Sequence, residues 1–250
     1  MIKYGFKTDV GKRRDGNEDA MLVLPKAGIF AVADGVGGQN SGEIASRKAM
    51  SGVEAFLSDN PLSEAAALEG KYWDGWMRDY FTRCLREVNR QIVDFAVSDA
   101  DLKSMATTAV LACFDVGRLC IVNVGDSRAY VLRAGALTQL TEDHTYVNNL
   151  IRAGQITKAD ARTHPQKNII TRALGAALEL EPDFYRFDLE DGDRVLLCTD
   201  GLHGELTDGE ITEILAGGET PAGICRALVK AANASGGNDN ITVICIDYKA

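Results

Sequence analysis

Apolar residues along the chain fall into short blocks separated by glycine, aspartate and asparagine. Blocks at residues 20–24, 29–33, 107–115, 119–124, 129–133, 184–188, 194–198 and 241–248 have the length and composition of β-strands. Several are apolar almost throughout, as in Ile29-Phe30-Ala31-Val32-Ala33, and that continuity predicts strands covered on both faces. Helices are predicted over residues 41–58, roughly 63–99, 208–216 and 220–234. Ser41 ahead of Glu43 and Ile44 marks a helix start. Thr207-Asp208 and Thr220-Pro221 read as N-caps, the second with proline at the first helical position. Strands and helices come in clusters, without strict βαβα alternation. That order predicts antiparallel sheets with helices packed outside them, not a doubly wound parallel sheet.

The segment between Thr141 and Gly175 is polar and charge-rich, and it is too long for a hairpin loop. It predicts a short helix within an excursion of the kind that serves as a lid or flap. No internal repeat, low-complexity tract or Pro/Ser linker interrupts the chain. Residues 1–250 therefore read as one domain, with the flap at about 142–175.

The block 29–33 ends in Asp34, followed by Gly35, Gly37 and Gly38. The pattern recurs. Asp126 follows the block ending in Val124-Gly125, Asp200 follows Cys198-Thr199, and Asp239 precedes Ile241. Aspartate and glycine are common turn formers, so any one of these sites is accounted for as a turn. Four strand-end acids in one chain point further. If the strand ends meet, the carboxylates converge, and buried carboxylates repel unless a cation sits among them. Oxygen-only ligands suit hard ions such as Mg²⁺ or Mn²⁺. The rival reading of Asp34-Gly35-Val36-Gly37-Gly38 is a phosphate-cradling loop. It fails because the stretch lacks both the GxxxxGK[ST] lysine and GxGxxG spacing. Positive charge for an anionic substrate is available from Arg13 and Arg14, which read equally as a phosphate fork or a solvated turn.

Bulk composition narrows the partners. The 250 residues are 46% hydrophobic and 25% charged, ordinary for a globular protein, with a net charge of −9. Nucleic-acid and anionic-membrane surfaces need basic footprints and are disfavoured. The six cysteines form no CxxC pair, and several lie inside apolar blocks, so buried free thiols in a reducing compartment are expected. The start of the chain lacks an apolar signal core, and no stretch approaches the ~18 apolar residues of a membrane span. A cytoplasmic chain is expected.

In chain order the sequence carries GKRRDGNEDA, VADGVGG, MATTAV, VGDSRAY, LLCTDGL and GGNDNITV. Together these resemble the motifs of the metal-dependent serine/threonine protein phosphatases of type 2C (the PPM family), above all its compact bacterial members. DHTYVNNLIRAGQIT and HPQKNIITRALG resemble that family's flap, and the resemblance runs from about Thr8 to Val243. It implies an α+β fold, a four-layer α-β-β-α sandwich of two antiparallel sheets flanked by helices, with a metal centre at one end. It implies that Asp34 bridges two Mg²⁺ or Mn²⁺ ions, that Gly35 ligates through its carbonyl, and that Asp200 and Asp239 complete the protein ligands. Glu18 then holds metal-bound water and Asp19 supports the ligands. Asp126, with Asp200, is similar to the pair that holds a third, weaker ion. Arg14 matches the arginine that grips the substrate phosphate.

The implied activity is hydrolysis of phosphoserine and phosphothreonine by a hydroxide bridging two cations about 3.5–4 Å apart, without a phosphoenzyme. The implied partners are phosphorylated proteins, namely a serine/threonine kinase and its substrates, and a monomer is expected. One departure concerns the leaving group. Where animal members read DGHGG, this chain has Val36, so the proton must come from elsewhere, with water at the Asp126 ion as the candidate. Of the three histidines, His144 and His164 read as flap structure or substrate contacts, and His203 as a surface residue near a helix start. Arg172 reads as a substrate-binding or structural residue, and Trp73 and Trp76 as helix packing. The alternatives to an active phosphatase are a pseudophosphatase that binds phosphoproteins without turnover and a phosphoesterase acting on small molecules. Retention of Arg14, Asp34, Gly35, Asp126, Asp200 and Asp239 argues against the pseudophosphatase.

Overall fold

In the computed structural model, which describes residues 1–38, 41–98, 102 and 104–250, the strands build two antiparallel sheets. The first has the order β1 (Ile2–Asp9), β11 (Ile241–Tyr248), β10 (Arg194–Cys198), β7 (Arg128–Arg133) and β8 (Ala136–Gln139). The second has the order β2 (Asp19–Leu24), β3 (Ile29–Val36), β5 (Ala109–Asp115), β6 (Arg118–Val124) and β9 (Asp183–Asp188), with β4 (Ala106–Thr107) paired to β3.

Side-chain alternation builds the layers. Ile29, Ala31 and Ala33 of β3 join Leu111 and Val122 in packing against Val53 of α1 (Ser41–Asp59) and Trp73, Phe81 and Leu85 of α2 (Gly70–Ser98). Phe30 and Val32 point the other way, onto Val195, Leu197, Ile244 and Ile246 of the first sheet. That sheet's outer face, with Leu196, Cys198 and Val243, is covered by α5 (Asp200–His203), α6 (Asp208–Leu215) and α7 (Pro221–Ser235). Two-sided burial explains the continuous apolar blocks, and the result is the expected α-β-β-α sandwich. Two shorter helices, α3 (Tyr146–Arg152) and α4 (Lys158–Thr163), lie in the polar segment before β9.

Local signals set the helix ends. Thr207 caps α6 in a capping box with Glu210, and Thr220 caps α7 ahead of Pro221. The expected helix over 63–99 divides into a 3₁₀ turn, Leu62–Ala67, and α2, because Leu68 is extended and Gly70 has φ 52°. Residue 99, its expected end, lies outside the described residues. The expected strand over 107–115 breaks at Thr108, which leaves the ladder to bond Asp34. Two strands escape apolar-block reading. The edge strand β1 interleaves Lys3 and Lys7 with half-exposed residues, and β8 is only 4 residues long.

All six cysteines are buried and free, and burial pushes the Cys84 and Cys198 thiols up to about 12, far from nucleophilic thiolates. Among the described residues, no helix is long and apolar enough to cross a membrane.

Candidate metal centre

The acids converge at one end of the sandwich because antiparallel pairing brings the relevant strand ends together. Asp19 opens β2 and lies opposite Asp34 in the β2–β3 ladder. Asp34 is inside β3, which continues to Val36 by pairing Gly35 with Thr107. Asp126 follows β6, Asp200 opens α5 directly after β10, and Asp239 precedes β11. A hydrogen bond ties the two sheets at this end: Thr199 Oγ1 donates to Asp19 Oδ2 at 2.9 Å. Thr199 Oγ1 in turn accepts from the Thr242 amide at 3.0 Å.

The Asp34 backbone is held on both sides. Its amide donates to Thr108 Oγ1 at 2.9 Å, and its carbonyl accepts from the Thr108 amide at 2.9 Å and from Thr107 Oγ1 at 2.8 Å. Gly35 is required by close approach. A Cβ there would overlap the Gly42 carbonyl at the start of α1 and lie 2.6 Å from the Glu18 carbonyl oxygen. Gly38, by contrast, has open space around it, so the tight turn into α1 is set by Gly37, whose Cβ would overlap Ser41 Oγ.

Crowded, buried carboxylates raise one another's proton affinity. Burial, then the charges of Asp200, Asp19 and Asp126, holds Asp34 well above the carboxylate range. Burial followed by Asp200 and Asp143 does the same to Asp126, and burial followed by Asp239 raises Asp200. Burial pushes Asp19 up to about 7 against its threonine hydrogen bonds. Asp19 Oδ1, Asp126 Oδ1 and Asp200 Oδ1 are buried without a hydrogen-bond partner. Unpaired carboxylate oxygens turned into one acidic cluster are what a hard divalent cation satisfies. Among the described residues, no three acid, histidine or cysteine side chains close into a ready-made cage for one ion. The donor set therefore suits ions shared between carboxylates, a carbonyl and water, not a closed zinc cage.

A loop of β1–β2 brings the cation Arg14 to the rim. Asn240, buried beside Asp239, organises that loop. Its Nδ2 donates to the carbonyls of Val10 and Gly16, each at 2.9 Å, and its Oδ1 accepts from the Glu18 amide at 2.7 Å. Arg14 Nη2 then donates to Asp239 Oδ2 at 2.6 Å, with the Arg14 side chain still 48% exposed. Burial opposes its charge, but Asp239 outweighs burial and holds the guanidinium above its ordinary value. Burial raises Glu18, with Arg14 working against it.

The Asp126 turn is gripped from several elements. His144 Nδ1 accepts the Gly125 amide at 3.0 Å, and the His144 amide donates to the Gly125 carbonyl at 2.9 Å. With Nδ1 so occupied, Nε2 faces both Asp183 Oδ2 at 3.1 Å and Arg172 Nη1 at 3.0 Å. Burial, helped by Arg172, lowers the proton affinity of this imidazole. Arg172 Nη1 donates to Asp183 Oδ1 at 2.7 Å and to the Glu181 carbonyl at 2.8 Å. Arg172 thus ties Asp183 to the carbonyl of Glu181 through Nη1, with its side chain 37% exposed. Arg128 adds a paired clamp on Asp143, at 2.8 Å and 2.6 Å, just ahead of His144.

His164 closes α4, its Nδ1 accepting the Gln166 amide at 3.1 Å, and its ring lies 6.3 Å from that of Tyr146. His203 corrects the surface reading. It is half-buried in α5, its Nε2 contacts the Asp126 carbonyl at 3.0 Å, and burial followed by Arg128 lowers it to about 3. The DGLH stretch placed it on a helix start; what the sequence did not carry is that this helix is a single buried turn. Val36 is 43% exposed at the rim.

The model of the family described as Protein phosphatase 2C matches residues 12–233, which take in Arg14, Asp19, Asp34, Asp126 and Asp200, with Asp239 just beyond the match. The chain belongs to the protein phosphatase 2C family. It is 40% identical over 245 residues to the serine/threonine phosphatase stp of Listeria monocytogenes, covering 97% of this chain and 94% of that one. The crystal structure of the serine/threonine phosphatase Stp1 from Staphylococcus aureus superposes with a TM-score of 0.89 at 33% identity, over 100% of this chain and 96% of that one. The catalytic domain of the serine/threonine protein phosphatase PstP, solved in complex with 2 manganese ions, superposes with a TM-score of 0.85 at 34% identity, over 100% and 99% of the two chains.

Within this protein phosphatase 2C fold, sequence reading missed Asn240, Thr108 and His203 as organisers of the acids. Asn240 and Thr108 sit inside the quoted GGNDNITV and MATTAV stretches, so the motifs carried a signal for them. For His203 there was none.

Proposed function

We propose that the chain is a metal-dependent protein phosphatase that hydrolyses phosphoserine and phosphothreonine, with Mg²⁺ or Mn²⁺ as cofactor. The observation that carries this reading is the cluster of Asp19, Asp34, Asp126, Asp200 and Asp239, of which Asp19, Asp126 and Asp200 each keep a buried oxygen without a hydrogen-bond partner, set beside Arg14. Asp34, the Gly35 carbonyl, Asp200 and Asp239 would hold two ions, and Asp126 with Asp200 would hold a third, weaker one. Glu18 and Asp19 orient the ligands and their water. When bound, such ions supply activated water as the nucleophile and neutralise phosphoryl charge.

The chain's own groups position the substrate. Arg14 engages Asp239 through Nη2 only, which leaves the rest of its fork for phosphoryl oxygens. His164 contributes from the flap at residues 142–175, within a single catalytic domain of residues 1–250. Val36 cannot donate a proton to the departing seryl or threonyl oxygen, so water held at Asp126 would be that source. The substrates are phosphorylated proteins, including a serine/threonine kinase and its targets, met in the cytoplasm by a monomer.

The test is hydrolysis of a phosphothreonine peptide by the metal-stripped chain, with Mn²⁺ added back and with chelator present. Turnover only with Mn²⁺ is expected. Equal turnover in chelator, or none with Mn²⁺, would sink the proposal. The second result would favour a pseudophosphatase.

A further inference from the structure

We propose that His203 is a positioning residue that sets the spacing between Asp126 and Asp200, and so the affinity of the weaker cation site they form. The inference rests on the reading of Asp126 and Asp200 as that site.

Helix α5 is one turn long, and it carries Asp200 at its first position and His203 at its last. The turn is fixed in place. Leu202 is fully buried in the outer core of the first sheet, and a Cβ at Gly201 would overlap the Asn240 carbonyl. The Gly204 amide closes the turn on the Asp200 carbonyl at 2.7 Å. The His203 ring therefore moves with Asp200 as one piece. A carbonyl can only accept, so the 3.0 Å contact to the Asp126 carbonyl makes Nε2–H the donor. One acid is thus tied to the helix turn that carries the other.

The tie opposes a force. Asp126 and Asp200 are like charges in a buried setting, and each has an oxygen with no hydrogen-bond partner. Whenever both are ionised with no cation between them, their repulsion works against the contact between the Asp126 turn and α5. The rest of that turn is held from elsewhere: Gly125 by His144, and Ser127 by Thr108 Oγ1 at 2.7 Å. Those holds fix the turn to the flap base and to the Asp34 support. His203 links it to the element bearing Asp200. Without the imidazole, the Asp126 carbonyl loses this donor and the acid pair relaxes apart, so a cation must first draw it together. The two tighter ions, held by Asp34, Gly35, Asp200 and Asp239, do not depend on this link.

Calorimetric titration of the metal-stripped full chain with Mn²⁺ tests the claim. His203→Ala is expected to weaken the weak class of site about tenfold or more, as removal of an outer hydrogen-bond partner does at metal centres, with the tight class essentially unchanged. His203→Gln, whose terminal amide reaches as far as Nε2, is expected to restore much of the affinity, and His203→Asn, which is too short, is not. Circular dichroism and melting curves identify any variant that does not fold. Should His203→Ala be one, the Gln–Asn comparison decides alone. Unchanged weak-site affinity in folded His203→Ala, or equal affinity in the Gln and Asn variants, would overturn the proposal. Asp126→Ala separates the two readings. If it keeps the weak site, the assignment of Asp126 to that site is wrong. If it loses the site while His203→Ala keeps it, only the positioning role fails.

Discussion

Asp19 and Asp34 stand opposite each other across the β2–β3 ladder, yet they are held differently. Asp19 Oδ2 accepts a hydrogen bond from Thr199 of the other sheet, whereas Asp34 is fixed through its backbone and leaves its carboxylate to the acid cluster. The arrangement predicts unequal mutational costs. Asp34→Asn removes the shared ligand and should abolish measurable turnover of a phosphothreonine peptide in Mn²⁺. Asp239→Asn should do the same. Asp19→Asn keeps an oxygen for Thr199 and should cost about 10–100-fold, with weaker Mn²⁺ binding. A loss at Asp19 equal to that at Asp34 would reverse the assignment.

Arg14 pairs with Asp239 while half of its side chain stays exposed. If its free donors grip phosphate in the ground state, Arg14→Ala should raise KM about tenfold or more, with a smaller change in kcat. Arg14→Lys should recover the charge but not the fork, and should restore KM only in part. Steady-state kinetics on one phosphopeptide at saturating Mn²⁺ reads both. An unchanged KM with a collapsed kcat would place Arg14 in the reaction step instead.

How much of this was legible before the fold was known depended on what each residue needed from its neighbours. Asp34, Asp126 and Asp200 announce themselves because an apolar block running into Asp beside Gly is a local pattern, and Asp239 because it stands just ahead of such a block. The sandwich follows from those same blocks, since strands buried on both faces carry little polar alternation. Strand β1 was not legible because an edge strand with Lys3 and Lys7 needs no apolar run. His203 was not legible because its role depends on Asp126, which lies far away in sequence and meets it only through the pairing of β10 with β7. The role of Asn240 is likewise long-range: its side chain reaches back to Val10, Gly16 and Glu18.

The glycines after Asp34 offer a paired test of packing. A methyl at Gly35 meets the backbone of Gly42 and Glu18, neither of which can rotate away, so Gly35→Ala should cost about 1–3 kcal/mol of stability. It should also weaken Mn²⁺ binding by shifting the carbonyl beside Asp34. Gly38→Ala meets open space and should be nearly silent in both respects. Chemical denaturation and Mn²⁺ titration of the two variants check this, and comparable losses in both would contradict the crowding argument.

The acid cluster also predicts how pH and metal act together on stability. In the metal-free chain, burial raises Asp19 to about 7 from an ordinary 3.8, and it raises Asp34, Asp126 and Asp200 as well. A carboxyl raised in the folded state contributes stability that is fully present below its unfolded value. That contribution is lost as pH climbs through the folded value. For Asp19 the loss falls between about pH 4 and pH 7. A bound cation removes the penalty by pairing the charged forms, and protons compete with it less as pH rises. The melting temperature in chelator should therefore fall from pH 5 to pH 8, while the gain on adding Mg²⁺ widens over the same range. Asp19→Asn removes one titrating group and should flatten the metal-free curve. Thermal melts at matched ionic strength measure both slopes. A gain from Mg²⁺ that is constant or shrinks toward pH 8 would mean that these carboxylates are not the groups the cation neutralises.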